Sequence, residues 1–243
     1  MRGSEPVIVR RVKITVVGAS GLIGTKVVEL LTSEGNEVVA SSRSSGVDVL
    51  TGEGLAAALA GADALVDVTN SPSFDAGPAM EFFTTSATNL VDAARRAGVG
   101  HYVALSIVGV DGLPDSGYFR AKVAQEKIVT ESGIPYSIVR ATQFAEFADA
   151  ITESMTVADE VRVPDALIQP IPSDHVASAV AHAAVAKPLN GIVNVGGPFK
   201  ITFEEMARDA LARKGDETKT IVVDPEARYF GAALGTRSLV TPD

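Results

Sequence analysis

Tyr118 and Lys122 stand four residues apart in GYFRAKVAQEK, residues 117–127. Near the start of a helix, that spacing stacks a phenol one turn from an ammonium. A phenol with its ordinary pKa of about 10 is a poor acid-base group at neutral pH, and a neighbouring positive charge favours its anion. The two residues therefore form either a proton-donating pair or only a helix surface, on which Lys122 would pair with Glu126 at i,i+4.

A second stretch with chemistry in it is GASGLIG, residues 18–24, directly behind the β-branched run VKITVV. Gly18 permits a tight turn, Gly21 lets backbone amides approach a pyrophosphate at the positive end of the following helix, and Gly24 lets that helix pack on the strand. Ser20, Leu22 and Ile23 complete the cradle. The spacing is GxxGxxG rather than GxGxxG, and a glycine turn without a ligand is the plain alternative. The strand-loop-helix setting favours a dinucleotide. Which dinucleotide is decided behind the second strand, where SSRSS (41–45) offers no acid for a ribose hydroxyl. Arg43, flanked by hydroxyls such as that of Ser42, favours the 2'-phosphate of NADP(H), against an ordinary solvated serine loop. Asp48 is either an acceptor for the adenine amino group or the cap of a turn.

These groups need a frame, and the chain alternates short β-branched runs with helical periodicity from residue 12 onward. Strands are expected at 12–17, 37–41, 47–49, 64–69, 101–108 and 135–140. Between them run a helix with Ile23, Val27, Leu30 and Leu31 on one stripe, a short one from Thr51 to Leu59, and a long one with Phe83, Ala87, Leu90 and Ala94. The helix bearing Tyr118 is expected to bury Ala121, Ala124 and Ile128. The fold class that follows is α/β, a Rossmann-type doubly wound parallel sheet with right-handed crossovers. Further on, Ser173 or Asp174 caps a helix carrying Val176 and Val180, GIVNV (191–195) returns to the sheet, Thr202 and Glu205 form a capping box, and TIVVD (220–224) is a late strand. The expectation is a single domain over 12–243, in which 142–175 and 197–243 build a small C-terminal substrate lobe above the sheet's carboxyl edge. Residues 1–11 are read as a disordered leader.

Composition narrows the function classes. A chain of 243 residues with 46% hydrophobic side chains can bury one substantial core. A net charge of -9 gives no electrostatic footprint for nucleic acid. Without cysteine there are no thiolate sites, and His101, His175 and His182 lack metal-ligand spacing, so no metal is expected. No apolar run suits a membrane span or a secretion signal, which leaves the cytoplasm as the default compartment and a small-molecule substrate as the expected partner. The oligomeric state is left open.

Taken together, GASGLIG, SSRSS, VDVTN, LSIVG and YFRAKVAQEKIVTESGIPYSIVRATQF resemble the short-chain dehydrogenase/reductase superfamily, in particular its atypical NmrA-like branch. The likeness is dense over 12–147 and looser in QPIPSDHVASAV and GGPFKITFEEMA. It implies a catalytic set at Ser106, Tyr118 and Lys122. Tyr118 would give a proton to a carbonyl oxygen, Ser106 would orient it, and Lys122 would lower the tyrosine pKa and bond the nicotinamide ribose. Thr69 and Asn70 would line the cofactor. Some members of the branch reduce substrates, whereas others bind the dinucleotide as regulators without turnover. Three functions follow: an NADP(H)-dependent oxidoreductase, a non-catalytic NADP(H) sensor, or a non-redox chemistry such as epimerisation that uses a tightly held nucleotide. Phe74, Gln143, Phe144 and Phe147 would make a mostly apolar substrate pocket with Gln143 as its orienting group, which suits a small apolar carbonyl, enone or quinone.

Overall fold

The computed structural model describes residues 11–242, so the expected leader lies outside the described residues except for Arg11. Five strands come first: β1 (Lys13–Val17), β2 (Glu37–Ser41), β3 (Ala64–Asp67), β4 (His101–Ile107) and β5 (Tyr136–Ala141). Short strands β6 (Thr156–Val157), β7 (Glu160–Val163) and β8 (Leu167–Ile168) follow. Then come β9 (Gly191–Val195), β10 (Ile201–Thr202), β11 (Thr220–Val223), β12 (Arg228–Tyr229) and β13 (Ala232–Ala233). The helices are α1 (Leu22–Ser33), α2 (Leu55–Ala58), α3 (Ala76–Ala97), α4 (Gly117–Thr130), α5 (Ala148–Ser154), α6 (Ser173–Val185) and α7 (Phe203–Lys214).

The main sheet has six parallel strands in the order β2-β1-β3-β4-β5-β9. The chain leaves β1 toward β2 and then returns to the other side of β1 for β3, which makes the carboxyl ends of β1 and β3 the switch point of the sheet. Strands β1, β3, β4 and β5 read as near-continuous apolar runs because helices cover both faces. On one face Val27 and Leu31 of α1 meet Val176 and Val180 of α6 beneath Val16 and Val139. On the other, Leu90 and Ala94 of α3 and Val129 of α4 pack on Leu65 and Ile138.

Three expectations are corrected. Residues 47–49 form no strand and lead into a turn instead. Gly46, Gly52 and Gly54 have positive φ, and Asp48 Oδ1 accepts from the amides of Leu50 (2.7 Å) and Thr51 (3.2 Å), which bends the backbone out of reach of a ladder. Next, α4 buries Tyr118, Phe119, Ala121, Lys122, Gln125, Glu126 and Val129, whereas Ala124 and Ile128 are only partly covered. The helix is rotated so that its polar stripe faces inward, because Arg140, Asp67 and the Leu105 carbonyl wait there as partners. Finally, α6 is not capped by Ser173 or Asp174. Ser173 is its first residue, and the amide there is held by the Glu146 carboxylate at 2.9 and 3.2 Å, while Asp174 pairs with Lys26 of α1. The expected capping box of Thr202 and Glu205 starts α7.

Beyond β5 the chain builds two small sheets, β11-β7-β6 and β10-β8, and the hairpin β12-β13. Their core joins Val161, Val163, Ile168, Phe203 and Met206 to Phe83, Tyr118 and Phe119 of the α3/α4 layer. Among the described residues no helix is long and apolar enough to cross a membrane.

Candidate active site at the carboxyl edge of the sheet

Parallel register brings the loops behind β1, β3, β4 and β5 to one edge, with Val17 opposite Asp67, Asp67 opposite Ala104 and Ile107 opposite Ala141. The glycine loop sits at the switch point. Gly18 has φ +88°, and a Cβ there would lie 2.8 Å from Val68 O; a Cβ on Gly24 would overlap Gly18 O. Both glycines are required by packing of loop, strand and helix. Gly21 is different, since a Cβ there would meet only Gly18 O, at 3.3 Å. Gly21 caps α1 with extended backbone and no side-chain hydrogen bond, so the first-turn amides of Leu22, Ile23 and Gly24 receive no side-chain acceptor. Ile23 is buried, while Ser20 and Leu22 are exposed beside them.

Behind β2, Ser42 caps a single 3-10 turn, Arg43–Ser45, through a reciprocal box with Ser45. The Arg43 side chain is exposed and makes no hydrogen bond or ion pair among the described residues, while its carbonyl accepts from the Gly46 amide at 3.1 Å. Behind β3, Thr69 bonds Asp67 Oδ1 through both its amide (3.0 Å) and its hydroxyl (2.7 Å). Asn70 Oδ1 accepts from Tyr118 Oη at 2.6 Å.

Tyr118 is 7% exposed. It reaches Asn70 because the next residue toward the N-terminus is Gly117, where any Cβ would collide with Ala76. The start of α4 can therefore lie directly against the start of α3. Burial among Phe74, Phe83, Phe119 and Phe230 pushes the phenol up to about 12, with the Asn70 bond working the other way. Lys122 is not among the causes of this value, so the lowering that the resemblance implies is not seen here. Lys122 Nζ donates to Leu105 O at 2.8 Å and to Gln125 Oε1, and lies 4.6 Å above the Phe83 ring. Its burial brings the ammonium down to about 8 against the opposing pull of Asp67 and Glu126. The surface pair with Glu126 is also absent: Glu126 is buried and takes a bidentate bond from Arg140 Nε (2.9 Å) and Nη2 (2.6 Å).

Ser106 is 4% exposed and its Oγ has no hydrogen-bond partner, so it does not bond Tyr118. Gln143, two residues beyond β5, buries both its Nε2 and its Oε1 without a partner. The four substrate candidates divide. Phe74 lies 5.2 Å from the Tyr118 ring, whereas Phe144 packs on the α1/α6 cluster and pairs with Phe147 at 5.6 Å. Asp67, Tyr102 and Gln125 were not singled out from the sequence, nor was Phe230. A lone acid inside an apolar strand was the available signal for Asp67; for Phe230 there was none.

The residues suit a nicotinamide dinucleotide. An uncapped helix start beside a glycine that packing does not demand fits a pyrophosphate, the unpaired Arg43 fits a further phosphate, and the orphaned Ser106 and Gln143 fit a polar ligand. Residues 18–187 match the NAD(P)H-binding family. The chain belongs to that family. Among curated relatives, the photosystem II assembly factor Ycf39 of Synechocystis is 24% identical over 148 residues, which cover 55% of this chain and 45% of that protein. Ycf39 of Cyanophora paradoxa is 24% identical over 163 residues, 59% of this chain and 51% of that protein. The chain spans about half the length of the curated relatives it matches. A dTDP-glucose 4,6-dehydratase of Streptomyces venezuelae, solved with NAD, superposes with TM-score 0.71 at 19% identity, covering 87% of this chain and 84% of that one. The UDP-glucose 4-epimerase of Thermus thermophilus, also with NAD, gives 0.69 at 20% identity over 86% and 85%. An NADPH-dependent quinone oxidoreductase of Escherichia coli gives 0.63 at 19% over 88% and 78%. These neighbours share the fold of this NAD(P)H-binding chain.

Proposed function

We propose that this NAD(P)H-binding protein is an NADP(H)-dependent reductase of the NmrA-like branch, acting in the cytoplasm on a small apolar carbonyl, enone or quinone. The observation that carries the reading is the pair Ser106 and Gln143, whose buried polar atoms lack partners at the edge Tyr118 shares. Leaving such groups unmade costs about 1–3 kcal/mol each, which a bound ligand offsets. When bound, the dinucleotide supplies a hydride. Gly21 and the first-turn amides of α1 hold its pyrophosphate, and Arg43 with Ser42 holds the 2'-phosphate. Asp48 stays with its turn. Thr69 and Asn70 line the cleft. Tyr118 holds a proton at Oη that it donates to Asn70 Oδ1 and that would turn to the substrate oxygen in the reaction. Ser106 steadies the substrate oxygen, and the buried Lys122 ammonium keeps the potential there positive. Residues 142–175 and 197–243 serve as the substrate lobe.

The test is substrate-dependent NADPH oxidation across a panel of carbonyls and quinones. Tyr118→Phe is expected to lower kcat by roughly 100-fold or more with NADPH affinity retained. NADPH binding with no oxidation of any panel member would remove the enzyme reading.

A second reading, an NADP(H)-binding regulator without turnover, draws on two observations. Neither Ser106 nor Lys122 bonds Tyr118, and the curated relatives are assembly factors.

A further inference from the structure

The turn of the β12-β13 hairpin is Phe230-Gly231, with φ of +48° and +80°. Two-residue hairpin turns of this hand favour Asn-Gly, since a bulky side chain is strained at positive φ. A phenylalanine kept at such a position needs a reason, and its surroundings supply one. The Phe230 ring is stacked on Tyr118 at 5.5 Å and 23°, and the Phe74 ring lies 5.2 Å from both, edge-on to Tyr118. The outer rings face solvent, Phe74 55% and Phe230 38% exposed, while Tyr118 beneath them is 7% exposed. Two half-exposed phenylalanines from separate parts of the chain, the β3-α3 loop and the hairpin, thus converge on the one phenol at the carboxyl edge.

We propose that Phe74 and Phe230 form an aromatic clamp that selects planar, conjugated substrates for the Tyr118 site, quinones in preference to saturated carbonyls; the catalytic part of this rests on the reductase reading, the selection of flat rings does not. Aromatic faces prefer offset-stacked and edge-on partners, and the clamp already presents one ring of each kind. A flat ring between Phe230 and Tyr118 requires the two centroids to stand about 7 Å apart. From the present 5.5 Å that is a displacement of about 1.5 Å, which falls to the hairpin, whose strands have two residues each. Tyr118 stays where α4 packs on α3. A saturated bicycle is thicker and offers no π face, so it gains nothing from the stack.

The test uses Phe230→Asn, which places Asn-Gly in the turn and so keeps the hairpin while removing the ring, together with Phe74→Leu. Calorimetry on protein saturated with NADP+ compares menadione, a flat bicyclic quinone, with decalone, a saturated bicyclic ketone. NADPH oxidation is followed separately. The expected result is menadione binding weakened about tenfold in the double variant and decalone binding unchanged. Equal losses for both, no loss for either, or no menadione binding to the wild type would overturn the clamp. Clamp-dependent menadione binding without turnover supports the clamp and removes the reductase reading; turnover of both compounds that ignores the two phenylalanines does the reverse.

Discussion

Gln125 Nε2 donates to Asp67 Oδ2 at 2.8 Å, and Gln125 Oε1 accepts from Lys122. A carboxylate only accepts, so the amide nitrogen must face Asp67 and its oxygen must face the ammonium. Tyr102 Oη, 3.0 Å from the same carboxylate oxygen, completes a buried chain from β4 to α4. Gln125→Leu takes one hydrogen bond from each group, leaving Lys122 its bond to Leu105 O and Asp67 those from Tyr102 and Thr69, and the expected loss is about 1–3 kcal/mol of stability at pH 7. The loss should be smaller at pH 9.5, where Lys122 is neutral, and urea denaturation at the two pH values measures it. An equal loss at both would mean that the amine keeps one protonation state across the two pH values.

Lys122 and Tyr118 give stability opposite slopes against pH. The folded lysine, at about 8, lies below its ordinary 10.5, so the unfolded chain binds more protons between these values and stability rises with pH across that window. The contribution is about 3 kcal/mol in all. Tyr118 is raised from 10.0 to about 12, so its contribution is present below pH 10 and is lost as pH climbs through 12. Lys122→Met should flatten the first limb and Tyr118→Phe the second, read from urea midpoints at three pH values. A first limb of the same slope in Lys122→Met and wild type would show that another group titrates.

Ser106→Ala should separate stability from function. Removing an unpartnered buried hydroxyl is expected to leave the fold equally stable or more stable by about 1 kcal/mol, while substrate turnover falls. A clear loss of melting temperature would show that the hydroxyl has a partner in solution.

Arg43 is exposed and unpaired, so its removal should leave stability unchanged. Arg43→Ala is expected to weaken NADPH binding by about 10-fold or more and NADH by less than about 2-fold. Equal weakening of both would cancel the preference for NADP.

The three loop glycines should not behave alike. Gly24→Ala drives a methyl into Gly18 O and is expected to unfold or severely destabilise the protein. Gly21→Ala meets only a 3.3 Å contact, so it should fold and lose nucleotide affinity instead, as thermal melts with and without NADPH would record. A Gly21→Ala protein with full affinity would remove the pyrophosphate from this helix start.

The order of strands and helices was legible in residues 12–141 because each element carries its own period, and the glycine loop announced itself by lying between a strand and a helix. The segment 47–49 misled because three β-branched or acidic residues look like a strand until Asp48 turns back on the amides of Leu50 and Thr51. Tyr118 and Lys122 were legible as a pair on one helix, but their environments were not. Which way α4 rolls is decided by partners far along the chain: Asp67 on β3, the Leu105 carbonyl on β4 and Arg140 on β5.

By itself the sequence determined the local matters: parallel β/α alternation, a glycine turn shaped for phosphate, and a phenol and an amine one helical turn apart. Only the tertiary structure decided that the phenol is raised and the amine lowered, that Ser106 and Gln143 are left without partners, and that Phe230 covers Tyr118 across 112 residues of chain. The reason is physical. Periodicity and turn chemistry depend on neighbours a few residues away, whereas desolvation, ring stacking and hydrogen-bond satisfaction depend on which distant surfaces meet.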